Sequence, residues 1–133
     1  LVNSNFKELL NSKTFERGYL YTNGTYGHGA AVAEHLGISE DVSFIYGRDN
    51  LRNSLQTEHM KPFLKSFYFV NGSIETDSGS TENDIYFFDD LEENLRTAKQ
   101  VGWKTILIKP NGIGAEYIDH VYPNIYAALI SLV

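Results

Sequence analysis

The sequence predicts an α/β fold in which a mostly parallel sheet is covered by helices on both faces. Short apolar runs of strand length alternate along the chain with segments whose apolar residues recur at helical spacing. Helices alternating with strands in this way are typical of parallel sheets. The chain has 133 residues, no internal repeat and no linker, which fits one domain better than two. We therefore expect residues 1–133 to form a single core domain.

The first half of the chain is predicted to contain two helices and two strands. They are, in order, a helix carrying Phe6, Leu9 and Leu10, a strand at 17–21, a helix with Val32 and Leu36 on one face, and a strand at 43–46. Gly37 is expected to end the second helix. The polar stretch 47–60 has no helical or strand period, so it is predicted to be a loop with at most one turn of helix.

The second half is predicted to begin with Lys61 and Pro62, the proline occupying the first turn of a helix. Phe63, Phe67 and Val70 give that helix a buried face, and the Gly/Ser-rich stretch 71–83 is predicted to be a surface loop. A strand at 85–88 follows, and then a helix that carries Leu91, Leu95, Ala98 and Val101 and ends at Gly102. The next elements are a strand at 104–108, a turn at 109–112 and an edge strand at 119–122. The last helix begins after Pro123 and carries Ile125, Leu129 and Leu132.

Composition excludes several classes of protein. The net charge is −6 and no basic cluster occurs, so nucleic acid is not expected as a partner. The chain has no cysteine, which excludes disulfides, thiolate metal sites and thiol catalysis. No apolar run approaches the roughly 18–20 residues that cross a bilayer, so no membrane association is expected. The sequons at Asn23 and Asn71 are interpreted as turns, and the protein as cytoplasmic.

Two adjacent carboxylates, Asp89 and Asp90, follow the apolar strand at 85–88 directly. Ligands of open α/β sheets lie beyond the carboxyl ends of the strands, and carboxylate oxygens are the ligands that Mg²⁺ prefers. The pair therefore predicts a magnesium site. A purely structural alternative remains open, in which Asp90 is the N-cap of the next helix and Glu93 completes a capping box.

Two further polar groups lie at predicted element boundaries. Thr22 and Asn23 follow the strand at 17–21, and Lys61 precedes a proline and a helix. Each has an ordinary structural interpretation as a turn or a helix approach. Together with Asp89 and Asp90, however, a hydroxyl and an ammonium suit phosphoryl transfer, because they can hold phosphate oxygens while the carboxylates hold Mg²⁺.

This arrangement resembles the haloacid dehalogenase (HAD) superfamily, from about Arg17 to the C-terminus. Residues 21–24 resemble the second motif of that family, residues 61–62 the third and residues 87–90 the fourth. The surrounding sequence is similar to the pyrimidine 5′-nucleotidase-like branch. The residues that carry this finer likeness are His28, Leu36-Gly37-Ile38, Asn94 and the segment 98–103.

The resemblance implies an Mg²⁺-dependent phosphomonoester hydrolase of Rossmannoid three-layer architecture. Thr22 and Asn23 would bind the phosphoryl group, and Lys61 would hold both the phosphate and the nucleophile. Asp89 would bind Mg²⁺ directly, Asp90 directly or through water, and Asn94 would support them. Thr22 and Lys61 are thus the candidate catalytic residues in this chain, and the substrate would be a small phosphomonoester, in this branch a nucleotide.

The first motif of the family, Asp-x-Asp after an apolar strand, is absent from the sequence. It provides the nucleophile that becomes an aspartyl-phosphate, and its strand is central in the family's sheet. Omitting one strand would leave a gap of roughly 10 Å lined with unpaired backbone groups. We therefore expect a complementing strand from an upstream segment, a second chain or a swapped copy; direct pairing of the flanking strands is the alternative. The family's cap domain is absent too, so the substrate's identity does not follow.

Two functions are therefore considered. In the first, the chain is part of a HAD-type phosphatase whose nucleophile is supplied by residues outside it. In the second, it is a catalytically inactive HAD-like structural or binding module within a larger assembly. In either case the isolated 133-residue chain is predicted to be inactive as a phosphatase.

Overall fold

The computed structural model describes residues 17–55 and 60–132, and the chain divides into two compact units. The first unit contains the residues up to Met60 and those from Leu129 onward, and the second contains Lys61–Ala128. The prediction of a single domain stays a prediction. The helix predicted around Phe6, Leu9 and Leu10 lies outside the described residues.

Among its described residues as far as Met60, the first unit contains a pair of parallel strands and two helices. Its elements are β1 (Gly18–Tyr21), α1 (Tyr26–His35), a 3₁₀ turn (Ser39–Asp41), β2 (Val42–Tyr46) and α2 (Arg48–Leu55). Leu20 lies opposite Ile45 in the parallel ladder. The backbone N–H of Thr22 extends the ladder by donating to the Tyr46 carbonyl at 2.9 Å. Both predicted strands are therefore confirmed.

Helix α1 ends where the sequence predicts, but it buries a different face. Gly37 follows the helix with a left-handed φ of 75°, as expected of a helix end. The buried residues of α1 are Gly29 and Ala33, whereas Val32 is 39% exposed. A Cβ on Gly29 would lie 2.9 Å from the Ile45 side chain, so the absence of a side chain on this glycine allows the close approach to β2. The apolar face predicted from Val32 is therefore wrong.

Helix α2 lies where a loop with at most one turn of helix was predicted. Leu51 is 1% exposed and gives this polar helix its buried contact. Asn50 links the start of the helix to β2: its Oδ1 accepts from the Gly47 N–H at 2.7 Å and its Nδ2 donates to the Ile45 carbonyl at 2.8 Å. The side chain of the third helical residue thus bonds back to the residue before the helix, as in a capping box.

The second unit contains a three-stranded parallel sheet and the helices that pack on it. Its elements are α3 (Leu64–Ser78), a 3₁₀ turn (Glu82–Asp84), β3 (Tyr86–Asp89), α4 (Glu92–Val101), β4 (Lys104–Ile108) and β5 (His120–Tyr122). The strand order is β3-β4-β5, with Phe88 opposite Ile106 and Leu107 opposite Val121. Helix α4 contacts β3, β4 and α3. The strands predicted here are confirmed.

Three aromatic rings form the centre of the second unit's core. Phe67, Phe87 and Trp103 are each less than a tenth exposed, and their ring centroids lie 5.3 to 5.6 Å apart. These separations are typical of favourable aromatic pairs. The Trp103 indole N–H donates to Asn71 Oδ1 at 2.8 Å. The core therefore joins α3 to β3 and to the start of β4.

Helix α3 starts later and runs further than predicted. Pro62 precedes the N-cap residue, Phe63, instead of occupying the first turn, and Phe63 is 51% exposed. Phe67 and Val70 are buried as predicted, and Ile74 continues the stripe by one turn. The helix ends at Gly79, which adopts a left-handed φ of 76°.

The stretch 71–83, predicted to be a loop, is therefore mostly helical. Its hydroxyl side chains bond back into the helix, Thr76 to the Gly72 carbonyl at 2.9 Å and Ser78 to the Ile74 carbonyl at 2.8 Å. Serine and threonine weaken a helix only slightly in this arrangement. A polar composition therefore did not mean a loop here.

The elements after β3 follow the prediction closely, except that Leu91, expected on the apolar stripe of α4, is the N-cap residue and is 50% exposed. Leu95, Ala98 and Val101 are buried on α4, and Gly102 ends the helix with a φ of 105°. The last helix, α5 (Ile125–Leu132), begins after Asn124, whose side chain accepts from the Ala127 N–H at 2.9 Å. Among the described residues no helix has the length and apolarity needed to cross a membrane. The α/β class with parallel strands is confirmed, and β1 and β3 belong to different sheets.

Candidate functional site

Asp89, the last residue of β3, is the central acceptor of a polar cluster in the second unit. Its Oδ2 lies 3.0 Å from Lys61 Nζ and accepts from Asn94 Nδ2 at 3.2 Å. Its Oδ1 accepts from the Leu91 N–H at 2.9 Å. The side chains of Lys61 and Asp89 are only 9% and 7% exposed, so this ion pair is largely removed from water. Charged hydrogen bonds of this kind are stronger than neutral ones.

Helix α4 starts without the capping box that was the structural alternative. Its N-cap is Leu91, which makes no side-chain capping bond, and Asp90 lies before it. The carboxylate of Asp89 instead receives a backbone N–H at the turn into the helix. Glu92 and Glu93 lie in the first turn, where acidic side chains interact favourably with the helix dipole. The interpretation of Asp90 and Glu93 as a capping box is therefore wrong.

Asn94 lies in the first turn of α4 and is 2% exposed. Its amide donates to the same Asp89 oxygen that binds Lys61. A buried amide needs such partners, since an unpaired one would be costly. The predicted supporting residue thus lies in contact with the predicted metal ligand.

Lys61 is held from two further sides. Its Nζ lies 5.5 Å from the centroid of the Phe87 ring, within the range of a cation–π contact. The next residue, Pro62, accepts a hydrogen bond through its carbonyl from Thr97 Oγ1 at 2.7 Å. Sequence reasoning did not single out Phe87 or Thr97 for this site. The contact of Phe87 with Lys61 follows from the position of Phe87, two residues before Asp89 and on the same face of β3. The contact of Thr97 with Pro62 joins residues 35 positions apart, so no local sequence pattern indicates it.

Asp90 provides a second carboxylate beside Asp89. Its side chain is exposed, and among the described residues no hydrogen bond or ion pair engages it. The carboxylate of Asp89 has roughly four acceptor positions, two on each oxygen. Oδ2 accepts two hydrogen bonds and Oδ1 accepts one, so one position on Oδ1 remains for a metal ion. Mg²⁺ is usually bound by one or two carboxylates and keeps several water ligands, so the carboxylates of Asp89 and Asp90 are a suitable pair of ligands. Residues 17–55 and 60–132 contain no cluster of three or more acidic or histidine side chains that could hold a metal.

Thr22 and Asn23 lie in the first unit, directly after β1. Thr22 Oγ1 accepts from the Gly24 N–H at 3.0 Å, which leaves the hydroxyl proton available for donation. The strand end is thus a tight turn with a hydroxyl on it. The structure brings Lys61, Asp89 and Asn94 together in the second unit. That Thr22 and Asn23 share a pocket with them stays a prediction.

Comparison with known proteins supports the fold through structure alone. No protein-family model and no curated protein matches the sequence. A HAD phosphatase from Thermococcus onnurineus matches with 19% identity and a TM-score of 0.73, over 97% of this chain and 55% of its own. A dehalogenase matches with 17% identity and a TM-score of 0.73, over 98% and 56%. A haloacid dehalogenase-like hydrolase from Streptococcus pneumoniae matches with 14% identity and a TM-score of 0.64, over 98% and 60%.

These matches extend over both units and nearly all of this chain, whereas the chain spans a little over half the length of the matched structures. At such low identity the likeness is one of fold. The chain therefore has the fold of the haloacid dehalogenase-like hydrolases.

Proposed function

We propose that the chain is part of a Mg²⁺-dependent phosphomonoester hydrolase of the HAD type, with a nucleotide 5′-monophosphate as the favoured substrate class. The nucleophilic aspartate is supplied by residues outside this chain. A HAD phosphatase is among the matched structures, and this supports the choice of reaction class. Dehalogenases are also among them, but a pair of adjacent carboxylates suits a cation and a phosphate better than a halide.

The observation that carries the proposal is the ion pair between Lys61 and Asp89 at the carboxyl end of β3. In α/β proteins this end of the sheet is where ligands bind. The ammonium lies 3.0 Å from a carboxylate that is itself held by Asn94, so both charges are fixed in place before a ligand arrives. Such preorganised charges are the main means by which enzymes stabilise phosphoryl transfer.

Each residue has a distinct task in the proposed reaction. The Lys61 ammonium neutralises charge on the phosphoryl oxygens, and the Thr22 hydroxyl donates to one of them. Asp89 and Asp90 would hold Mg²⁺, which supplies further positive charge at the phosphate when bound. Asn94 keeps the Asp89 carboxylate oriented.

The chemistry passes through an aspartyl-phosphate. A carboxylate oxygen of the external aspartate attacks phosphorus and the ester P–O bond breaks. The leaving alcohol oxygen takes a proton from a general acid that also lies outside this chain, and the water of the second step restores that acid. Water then attacks the phosphorus of the acyl phosphate, and orthophosphate leaves as the carboxylate is restored. Two water-derived protons end on the alcohol and the phosphate, so the net reaction is hydrolysis of the ester.

The proposal is tested first on the 133-residue chain, by titrating orthophosphate with and without Mg²⁺ and following binding by ³¹P NMR. We expect Mg²⁺-dependent binding that Lys61→Gln weakens roughly 10- to 100-fold, the equivalent of one charged hydrogen bond. Asp89→Asn should abolish the dependence on Mg²⁺. Lys104→Gln, a matched change at the exposed start of β4, should leave binding unchanged.

Turnover provides the second test. Full-length protein with Mg²⁺ should release phosphate from nucleotide or sugar phosphates, and failure with every such substrate would refute the proposed activity. The isolated chain should release none. Measurable turnover by the chain that Asp89→Asn abolishes would contradict the external nucleophile.

One observation favours the alternative of an inactive structural module. Asp89 ties the end of β3 to the segment before α3 through Lys61, and to the start of α4 through Asn94 and the Leu91 N–H. Such a cluster can serve stability alone. In that case Asp89→Asn would reduce stability, and neither Mg²⁺ nor orthophosphate would bind to the unsubstituted chain.

A further inference from the structure

The second unit contains a link between α4 and the segment that carries Lys61. Thr97 Oγ1 donates to the Pro62 carbonyl at 2.7 Å, and this contact is partly buried. The same oxygen lies 3.4 Å from the Glu93 carbonyl, one turn back in its own helix. A hydroxyl has a single proton, and the shorter distance assigns it to Pro62. Thr97 therefore bonds across to another segment instead of back into its helix.

Thr97 lies three residues after Asn94, so the two side chains are neighbours on one face of α4. Asn94 donates to Asp89, and Thr97 donates to the residue that follows Lys61. One helix face thus holds both members of the Lys61–Asp89 ion pair, the acid through its side chain and the lysine through the adjacent backbone.

We propose that Thr97 is a positioning residue that fixes the Lys61 ammonium on Asp89 by anchoring the Pro62 carbonyl. The consequence for phosphate rests on the proposed function, in which Lys61 holds the phosphoryl group. The recorded hydrogen-bond partners of Thr97 Oγ1 are carbonyl oxygens, not the ammonium or the carboxylate, so it acts by restricting the backbone next to Lys61. Without the hydroxyl, the Pro62 carbonyl loses its Thr97 partner and the lysine leaves its buried place more often.

The test measures how fast Lys61 reacts with an amine-specific reagent, using reductive methylation of the 133-residue chain and mass spectrometry of each lysine. A lysine paired with Asp89 and 9% exposed is protected. Thr97→Val removes the hydroxyl at nearly constant shape, and we expect Lys61 to react roughly three- to tenfold faster, the equivalent of one net hydrogen bond. Thr97→Ser keeps the hydroxyl and should restore protection to within about twofold of the unsubstituted chain.

The matched control is Thr76→Val. It removes a helix hydroxyl that bonds to the Gly72 carbonyl at 2.9 Å, and it has no link to Lys61. In this variant Lys61 should stay protected. Lys104, exposed on β4, is the internal reference, and its rate should be the same in every variant. Should Thr97→Val fail to fold, Thr97→Ala removes the same hydroxyl with a smaller side chain.

Two results would overturn the proposal. In the first, Lys61 reacts at the unsubstituted rate in the folded Thr97 variant, although Asp89→Ala accelerates its reaction. In the second, every lysine reacts faster together, which would mean that Thr97 supports overall stability only. Since labelling needs no substrate, a chain that passes this test but binds no phosphate would contradict the proposed function and leave the positioning role intact.

Discussion

Replacing Asp89 with alanine should destabilise the second unit by about 2–4 kcal/mol. The change leaves three donors without their acceptor. The Leu91 N–H is exposed and can bond to water instead, but the Lys61 side chain is only 9% exposed and Asn94 only 2%. A buried unpaired donor costs about 1–3 kcal/mol, and a buried charge that loses its partner about 3–5 kcal/mol. The long lysine stem can rotate its ammonium toward water, which reduces the second cost.

The free energy of unfolding is measured by urea titration of the 133-residue chain, followed by circular dichroism and extrapolated linearly to water. The matched control is Asp90→Ala, which removes the neighbouring, exposed carboxylate and should change stability by no more than about 0.5 kcal/mol. Adding Lys61→Met to Asp89→Ala removes the stranded charge and should recover about 1–2 kcal/mol. If Asp89→Ala costs no more than Asp90→Ala, the carboxylate is not the central acceptor of this cluster.

Two further predictions concern other parts of the chain. Gly47→Ala should cost roughly 1–3 kcal/mol in urea titration, because the added Cβ would lie 2.6 Å from the Tyr26 backbone nitrogen; an unchanged midpoint would contradict this close approach. Asp119→Asn should lower the melting temperature more at neutral than at acid pH. Burial raises the pKa of Asp119, but its hydrogen bonds from Lys99 and Thr105 outweigh burial and hold the pKa below its ordinary value. Its stabilisation is therefore present above the unfolded pKa and is lost as the pH falls through the lower, folded pKa. The difference in melting temperature between the two proteins should shrink as the pH falls below 3.8, and a constant difference would refute the sign.

The elements predicted correctly are those whose cause is local. Helix α4 has an apolar stripe at helical spacing and a glycine that ends it with a positive φ, and both signals lie within the segment itself. The errors have non-local causes. Val32 is exposed because α1 meets β2 through Gly29, and α3 extends past residue 71 because Ile74 continues its buried stripe under a polar sequence. Composition alone does not distinguish such a helix from a loop.

The candidate site was also predictable only where the signal is local in the sequence. Asp89 was selected because it follows an apolar strand, Lys61 because it lies at an element boundary, and Asn94 by resemblance to a family. The structure places Lys61 and Asn94 in contact with the same oxygen of Asp89. Which oxygen of Asp89 accepts which donor depends on how α4 packs against the segment before α3, and that packing is formed by residues far apart in sequence. Thr97 illustrates the limit: threonine in a polar helix face predicts nothing, and its importance arises only where the Pro62 carbonyl comes within 2.7 Å. Residues that bear the charge can therefore be inferred from sequence, whereas residues that hold the charge in place require the structure.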